Sequence, residues 1–292
     1  MALLHLAGSL ERSGPVQAVR LGLQSAIRST VAGGRTPVRD LTQPVSGDVG
    51  LFGPGSVTWR VHSDSAMFVG GVRALFLQAL HPLAMAGVAE HSDFRTDPLG
   101  RLANTAHYVG VTTYGTTAEA EQMIAIVKRV HQRVTGVAPD GRPYSANDPH
   151  LLTWVQHALI DSFLRSYQRY GAAPLTPDEA DRYVAEQAVI AERFGCDTVV
   201  TSLAELRDWL RAERSELRAG PQARATARFL LAPPLPLAAR PPYGILASAA
   251  IDLLPRWARR QLWLPLPPLV APLAVVPAAR SMCRAIDWAI SA

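Results

Sequence analysis

Residues 72–115 read VRALFLQALHPLAMAGVAEHSDFRTDPLGRLANTAHYVGVTTYG, and residues 116–136 continue as TTAEAEQMIAIVKRVHQRVTG. The second segment reads as one helix. Thr116 and Glu119 have the spacing of a capping box, and Gly136 fits a C-terminal stop. Ile124, Val127, His131 and Val134 fall at i, i+3, i+7 and i+10 and share one face. An imidazole in an apolar stripe needs a partner, because burying it unsatisfied costs about 1–3 kcal/mol. Iron is the expected partner; a hydrogen bond within a packed core is the alternative.

The segments around this one also read at period 3.6. Val57–Leu80 is expected to be the first core helix, with Ser63 or Asp64 as a cap and Gly70-Gly71 allowing a second helix close by. His81-Pro82 ends or bends it, and Leu83–Glu90 forms a short helix. Asp97-Pro98 reads as an N-cap followed by proline at the first helical position. The helix it opens, Leu99–Val109, carries Arg101, Asn104 and Thr105 on one face, with a break at Gly110–Gly115.

Asp140-Gly141 centres a loop or small hairpin, and Asn147-Asp148-Pro149 opens a helix to about Tyr170. On it Trp154, His157 and Asp161 share a face, the last two as an i, i+4 pair. Thr176 with Glu179 and Ser202 with Glu205 open two more helices, ending near Gly195 and Leu217, and Gly220-Pro221 closes the second.

From Ala232 prolines accumulate. Pro233, Pro234, Pro236, Pro241 and Pro242 read as a rigid connector, Tyr243–Leu264 as one or two helices broken at Pro255, and Ala278–Ile290 as a last helix. Leu264–Val276 is very apolar, but its prolines exclude a membrane-spanning helix; it wraps the core, lines an entrance for a greasy substrate, or makes peripheral membrane contact. No βαβ pattern or internal repeat appears. The expected fold is all-α, with a loop-rich lead-in at 1–56, a helical core at 57–231 and a Pro-rich apolar extension at 232–292 packed on it.

The composition narrows the function. At 48% hydrophobic and 18% charged residues the chain is a packed globular protein. Its net charge of +5 comes almost wholly from arginine, Lys128 being the only lysine, and no basic block interleaved with aromatics points to nucleic acid. Cys196 and Cys283 suggest neither a disulfide framework nor a zinc site. The first fifteen residues lack the basic start and long apolar run of a secretory signal, so a cytoplasmic location is the default expectation. HExxH, GxSxG, P-loop and GxGxxG motifs are all missing.

A longer pattern supplies what those motifs do not. It runs Arg73, His81-Pro82, Gly87, His91-Ser92, Phe94, Asp97-Pro98, Arg101, Thr105, His131, Tyr144-Ser145-Ala146, Asp148-Pro149 and Trp154. This order resembles the MpaB/rubber oxygenase (latex clearing protein) family, clearly over residues 60–170 and loosely in the flanks. The resemblance implies a globin-related helical fold, haem b, and O2-dependent cleavage of C=C bonds in apolar isoprenoid or lipid substrates. His131 matches the family's proximal iron ligand, and Arg101 and Thr105 match its distal pair. Where the rubber oxygenases carry a lysine three residues after that arginine, this chain has Asn104, which removes a sixth ligand to iron. With no CxxCH motif, the haem would be held without thioether links.

Each residue also has a plainer reading. His131 is then a core histidine, Arg101 the partner of Asp97, Thr105 a packing hydroxyl, His81 a helix C-cap, His91 a loop hydrogen-bond partner and Tyr144 a packing residue. At the level of function, a haem carrier or gas sensor and a cofactor-free helical protein stand beside the oxygenase.

Overall fold

The computed structural model describes residues 47–93, 96–264 and 269–290 of the chain. The lead-in up to residue 46, including the helical segments expected within Met1–Arg28, lies outside the described residues. What is described is helical apart from one two-stranded hairpin, so the expected all-α class holds.

The expected helix from Val57 to Leu80 is two helices, α1 (Val57–Ser63) and α2 (Ala66–Gln78). Asp64 causes the break: it is extended, and its Oδ1 accepts the Ala66 N–H at 2.8 Å, restarting the helix on a new axis. Its other oxygen accepts from Ala172 N at 2.9 Å. At His81-Pro82 the chain turns by 105° into α3 (Pro82–His91). Proline holds His81 extended, as its ring clashes with a helical preceding residue. His81 is therefore the N-cap residue of α3 rather than the C-cap of the helix before it.

Helix α4 (Pro98–Tyr114) opens as expected, with the Asp97 carboxylate accepting from Gly100 N, but it runs through the expected break and stops only at Gly115. Helix α5 (Thr117–His131) has the expected capping box of Thr116 and Glu119. It ends at His131, a turn before Gly136. The chain beyond belongs instead to an antiparallel hairpin, β1 (Thr135–Val137) and β2 (Pro143–Ser145), with Gly141 at φ +86° in its turn. Val134 O accepts from Ala146 N at 2.9 Å, which pulls β2 against the end of α5.

Helix α6 (Pro149–Tyr170) is the central element, capped by Asp148 through the His150 and Leu151 N–H groups. Helix α7 (Pro177–Phe194) has its Thr176/Glu179 box and closes on Gly195 at φ +87°. Helix α8 (Leu203–Ala212) is shorter than expected and passes into a 3-10 turn, Glu213–Ser215. Gly220-Pro221 does not end a helix but starts one, α9 (Pro221–Leu231), which the sequence reading missed. Pro241 and Pro242, read as connector, sit in the first turn of α10 (Arg240–Leu253), where a missing N–H costs nothing. Next come α11 (Arg256–Gln261), a π-helical turn (Ala271–Val275) and α12 (Val276–Ile290).

The main core forms where α2 packs between α6 and α10. Phe76, Leu80, Trp154, Ala250 and Cys283 are buried together there. Gly70 sets the α2–α6 spacing: a Cβ on it would stand 2.7 Å from Phe163 Cδ1 and 3.1 Å from Phe163 Cα. One turn on, Arg73 is wholly buried. Its Nε donates to Leu253 O (3.0 Å), and its terminal nitrogens to Ser162 Oγ (2.6 Å) and Asp161 Oδ2 (2.8 Å), tying α2 to α6 and α10. Among the described residues no single helix is long and apolar enough to cross a membrane.

Candidate active site

His131 is the last residue of α5, and the hairpin folds back beside it. Asn147 Nδ2 donates to Lys128 O at 3.0 Å, a second bond on a carbonyl that also accepts from Gln132 N at the helix end. The His131 ring is half-buried, and its Nδ1 is buried with no hydrogen-bond partner. Phe194, at the end of α7, lies against the ring at 6.5 Å between centroids, and Tyr108 of α4 meets Phe194 edge-on at 5.8 Å. Helices α5 and α7 thus meet at this imidazole, with α4 packed behind Phe194.

Electrostatics keep the ring neutral. Burial pushes its pKa below the ordinary value; the Ala146 backbone opposes this, and the Arg101 charge lowers it further. A neutral imidazole has a free lone pair, as a metal ligand must.

Arg101 and Tyr108 lie seven residues apart on the same face of α4. The Arg101 guanidinium donates to Ser92 Oγ, so its partner is not the expected Asp97, which caps Gly100 instead. Thr105 Oγ1 donates to Arg101 O at 3.1 Å, and both Thr105 and Asn104 are exposed on α4. Of the expected residues, then, the structure brings Arg101 within the electrostatic reach of His131; the Thr105 hydroxyl is turned to its own helix.

His91 Nε2 contacts Thr135 O and Tyr144 Oη, both at 3.1 Å, and the Tyr144 hydroxyl donates to Glu90 Oε2. These contacts hold the hairpin to α3. His62 is bonded between Thr113 Oγ1 (2.8 Å) and Tyr183 Oη (3.1 Å). The expected His157–Asp161 pair does not form. Asp161 is taken by Arg73 and Arg165, while both His157 ring nitrogens are buried without partners, the ring edge-on to Trp209 at 4.6 Å.

His81 and His150 approach Glu213, and His150 also reaches Asp197. The sequence reading did not find this grouping. Its members come from four separate segments, so no local spacing announces them. Phe194 and Tyr108 escaped it for the same reason.

The model of the family described as "ER-bound oxygenase mpaB/B'/Rubber oxygenase, catalytic domain" matches residues 59–288. The chain belongs to this family. That span takes in every helix from α2 to α11 and most of α1 and α12, well beyond the region where the resemblance was clear from sequence. Family membership makes the chain an oxygenase-like oxidoreductase and calls for a metal or haem cofactor. No curated protein and no solved structure matches it.

Proposed function

We propose that this MpaB/rubber oxygenase family member is a haem-b-dependent oxygenase acting on a C=C bond of an apolar isoprenoid or lipid, with His131 as the iron ligand. The observation that carries the reading is the His131 ring itself: half-buried, kept neutral against the opposing backbone of Ala146, and with an Nδ1 that makes no hydrogen bond of ordinary geometry among the described residues. A protein rarely leaves such an atom without a partner.

The residues present fit the group. A neutral histidine would hold haem iron through a ring nitrogen. Arg101 places a cation near that ring, and a guanidinium can clamp a propionate carboxylate in bidentate fashion. Haem, when bound, supplies the oxygen chemistry that side chains lack. The chain's own part is to orient and enclose. The α5 end and the hairpin hold the His131 ring, Phe194 and Tyr108 form an apolar wall, and Arg101 offers donors to an anionic group. Thr105 has a hydroxyl one turn further along α4, and Asn104 gives that face a neutral amide in place of a lysine cation. Exposed Ile126 and Val130, four residues apart on α5, add apolar surface suited to a greasy substrate.

The visible spectrum of protein purified with haem supply tests this. Wild type should show a Soret band that His131→Ala loses or shifts. Protein that stays colourless through a haemin titration, or a His131→Ala variant with an unchanged band, sinks the proposal. O2 uptake with isoprenoid substrates separates an oxygenase from a haem carrier.

A further inference from the structure

Three side chains converge in a second place. His81 caps α3, His150 lies in the first turn of α6, and Glu213 sits in the 3-10 turn after α8. His81 Nε2 is 3.6 Å from a Glu213 oxygen, His150 Nε2 is 3.1 Å from that carboxylate, and one ligand atom from each residue falls within 4.8 Å of the others. Donors about 2.1 Å from a tetrahedral ion stand about 3.4 Å apart, a spacing the two measured distances bracket. We propose that His81, His150 and Glu213 bind a divalent first-row transition-metal ion, with zinc the best fit, at a site separate from His131.

Two further observations point to a ligand. His81 is only 2% exposed, and its Nε2, the atom that faces Glu213, stands 3.6 Å from that carboxylate, too far for a normal hydrogen bond. A metal bond at Nε2 offsets part of the cost of burying this ring. His150 has the outer support typical of metal-bound histidine. Its Nδ1 is 3.1 Å from Asp197 Oδ2, while Asp197 Oδ1 accepts from Thr153 Oγ1 at 2.7 Å and Asp197 N donates back to that hydroxyl at 3.0 Å. A carboxylate on Nδ1 fixes the tautomer that presents the Nε2 lone pair.

The donor set suits the ion. Two imidazoles and one carboxylate form a known zinc set that leaves a fourth position for water. His150 is the exposed member, while His81 and Glu213 are buried, so the ion has a route in and a closed back wall. The ligands lie far apart in sequence, and one ion joins the α2–α3 corner, α6 and the turn after α8. Its first effect is therefore to staple these segments. Because His131, Arg101 and Thr105 take no part, this site stands or falls independently of the haem reading.

The test uses the full chain, stripped with EDTA, titrated with zinc sulfate, desalted, then assayed by elemental analysis and thermal melting. Wild type should retain one zinc per chain and melt roughly 3–10 °C higher than the stripped protein. Glu213→Gln should lose both effects, Asp197→Asn should weaken zinc binding by about 10–100-fold, and His131→Ala should keep the zinc. A wild-type chain that takes up no zinc overturns the proposal without recourse to any variant. So does a Glu213→Gln chain that holds as much as wild type, which would leave His150 as a protonated bridge between Glu213 and Asp197.

Discussion

The α2–α6 interface and the end of α5 bury polar groups in opposite ways. In the interface, Arg73 has all three of its nitrogens bonded, and Asp161 accepts from Arg73 and Arg165. At the end of α5, the His131 Nδ1 and the Asn147 Oδ1 are buried with no hydrogen-bond partner among the described residues. Burying a polar group unsatisfied costs about 1–3 kcal/mol, so the two regions cannot serve the same end. The saturated network specifies how three helices dock. The unsaturated one contributes little to the fold and leaves lone pairs open to something that is not protein.

The sharpest break of this contrast is Arg73→Met against His131→Ala. Removing Arg73 leaves the buried Asp161 with only the half-exposed Arg165 as its ionic partner, at a cost approaching the roughly 3–5 kcal/mol of a broken buried pair. In urea unfolding, Arg73→Met should lose that much. His131→Ala in haem-free protein should lose no more than about 1 kcal/mol, since the half-buried ring gives up only the backbone contact with Ala146 and no hydrogen bond of ordinary geometry to a described residue at its Nδ1. Equal losses for the two variants would erase the distinction. On the proposed haem reading the order of consequence reverses: His131→Ala should abolish oxygenase activity, and Arg73→Met should spare it in whatever fraction still folds.

A smaller effect tests how tightly the saturated side is packed. Gly70 and Gly71 are neighbours, yet a Cβ on Gly70 would run into Phe163 and Ser166, whereas one on Gly71 meets nothing within 4 Å. Gly70→Ala should cost about 1–3 kcal/mol through the forced separation of α2 from α6. Gly71→Ala should instead stabilise by about 0.5–1 kcal/mol, because alanine loses less backbone entropy in a helix. Thermal melting of the two single variants decides it, and shifts of the same sign would mean that α6 is not held at the distance described.

The same contrast governs what the sequence made legible. Local chemistry was readable: the Thr116, Thr176 and Ser202 capping boxes, the Asp97 and Asp148 caps before proline, and the hairpin at Asp140-Gly141 are written in adjacent residues. Gly70 was readable as a close approach because it sits in an apolar helix, though nothing local told it from Gly71. The errors arose where a distant group decides. Asp64 splits the first helix partly because α6 ends beside it, with Ala172 N bonding its carboxylate. His157 and Asp161 have pair spacing, but Arg73, 88 residues away in sequence, takes the carboxylate. At the candidate site, His131 stood out as a lone imidazole in an apolar stripe. Phe194 beside it and Glu213 beside His81 come from helices whose packing no periodicity reveals.

His157 is the case that tests the contrast from the other side, since its ring too is unpartnered among the described residues, yet they place no metal-ligand set around it. It is fully buried against Trp209, and burial pushes its pKa down to about 4, with Asp197 opposing. In the unfolded chain the ring titrates near 6.5, so between about pH 6.5 and 4 the unfolded state binds the extra proton and stability falls with pH. The loss belonging to this ring is on the order of 2–3 kcal/mol by pH 4. His81, depressed to about 4, adds a loss of the same sense. Asp161, held below the usual carboxylate range by Arg73 and Arg165 against the cost of burial, loses its contribution only below about pH 4, as the pH falls through its folded value. His157→Leu should therefore be neutral or slightly stabilising at pH 7, because an apolar side chain of similar size replaces two unsatisfied nitrogens. It should also make the decline in urea midpoint between pH 6.5 and 4 shallower, while leaving the steeper loss below pH 4 intact. A His157→Leu chain that is clearly less stable at pH 7 would mean that this ring has a partner after all, and that an unpaired nitrogen in this fold does not by itself mark a place where a ligand belongs.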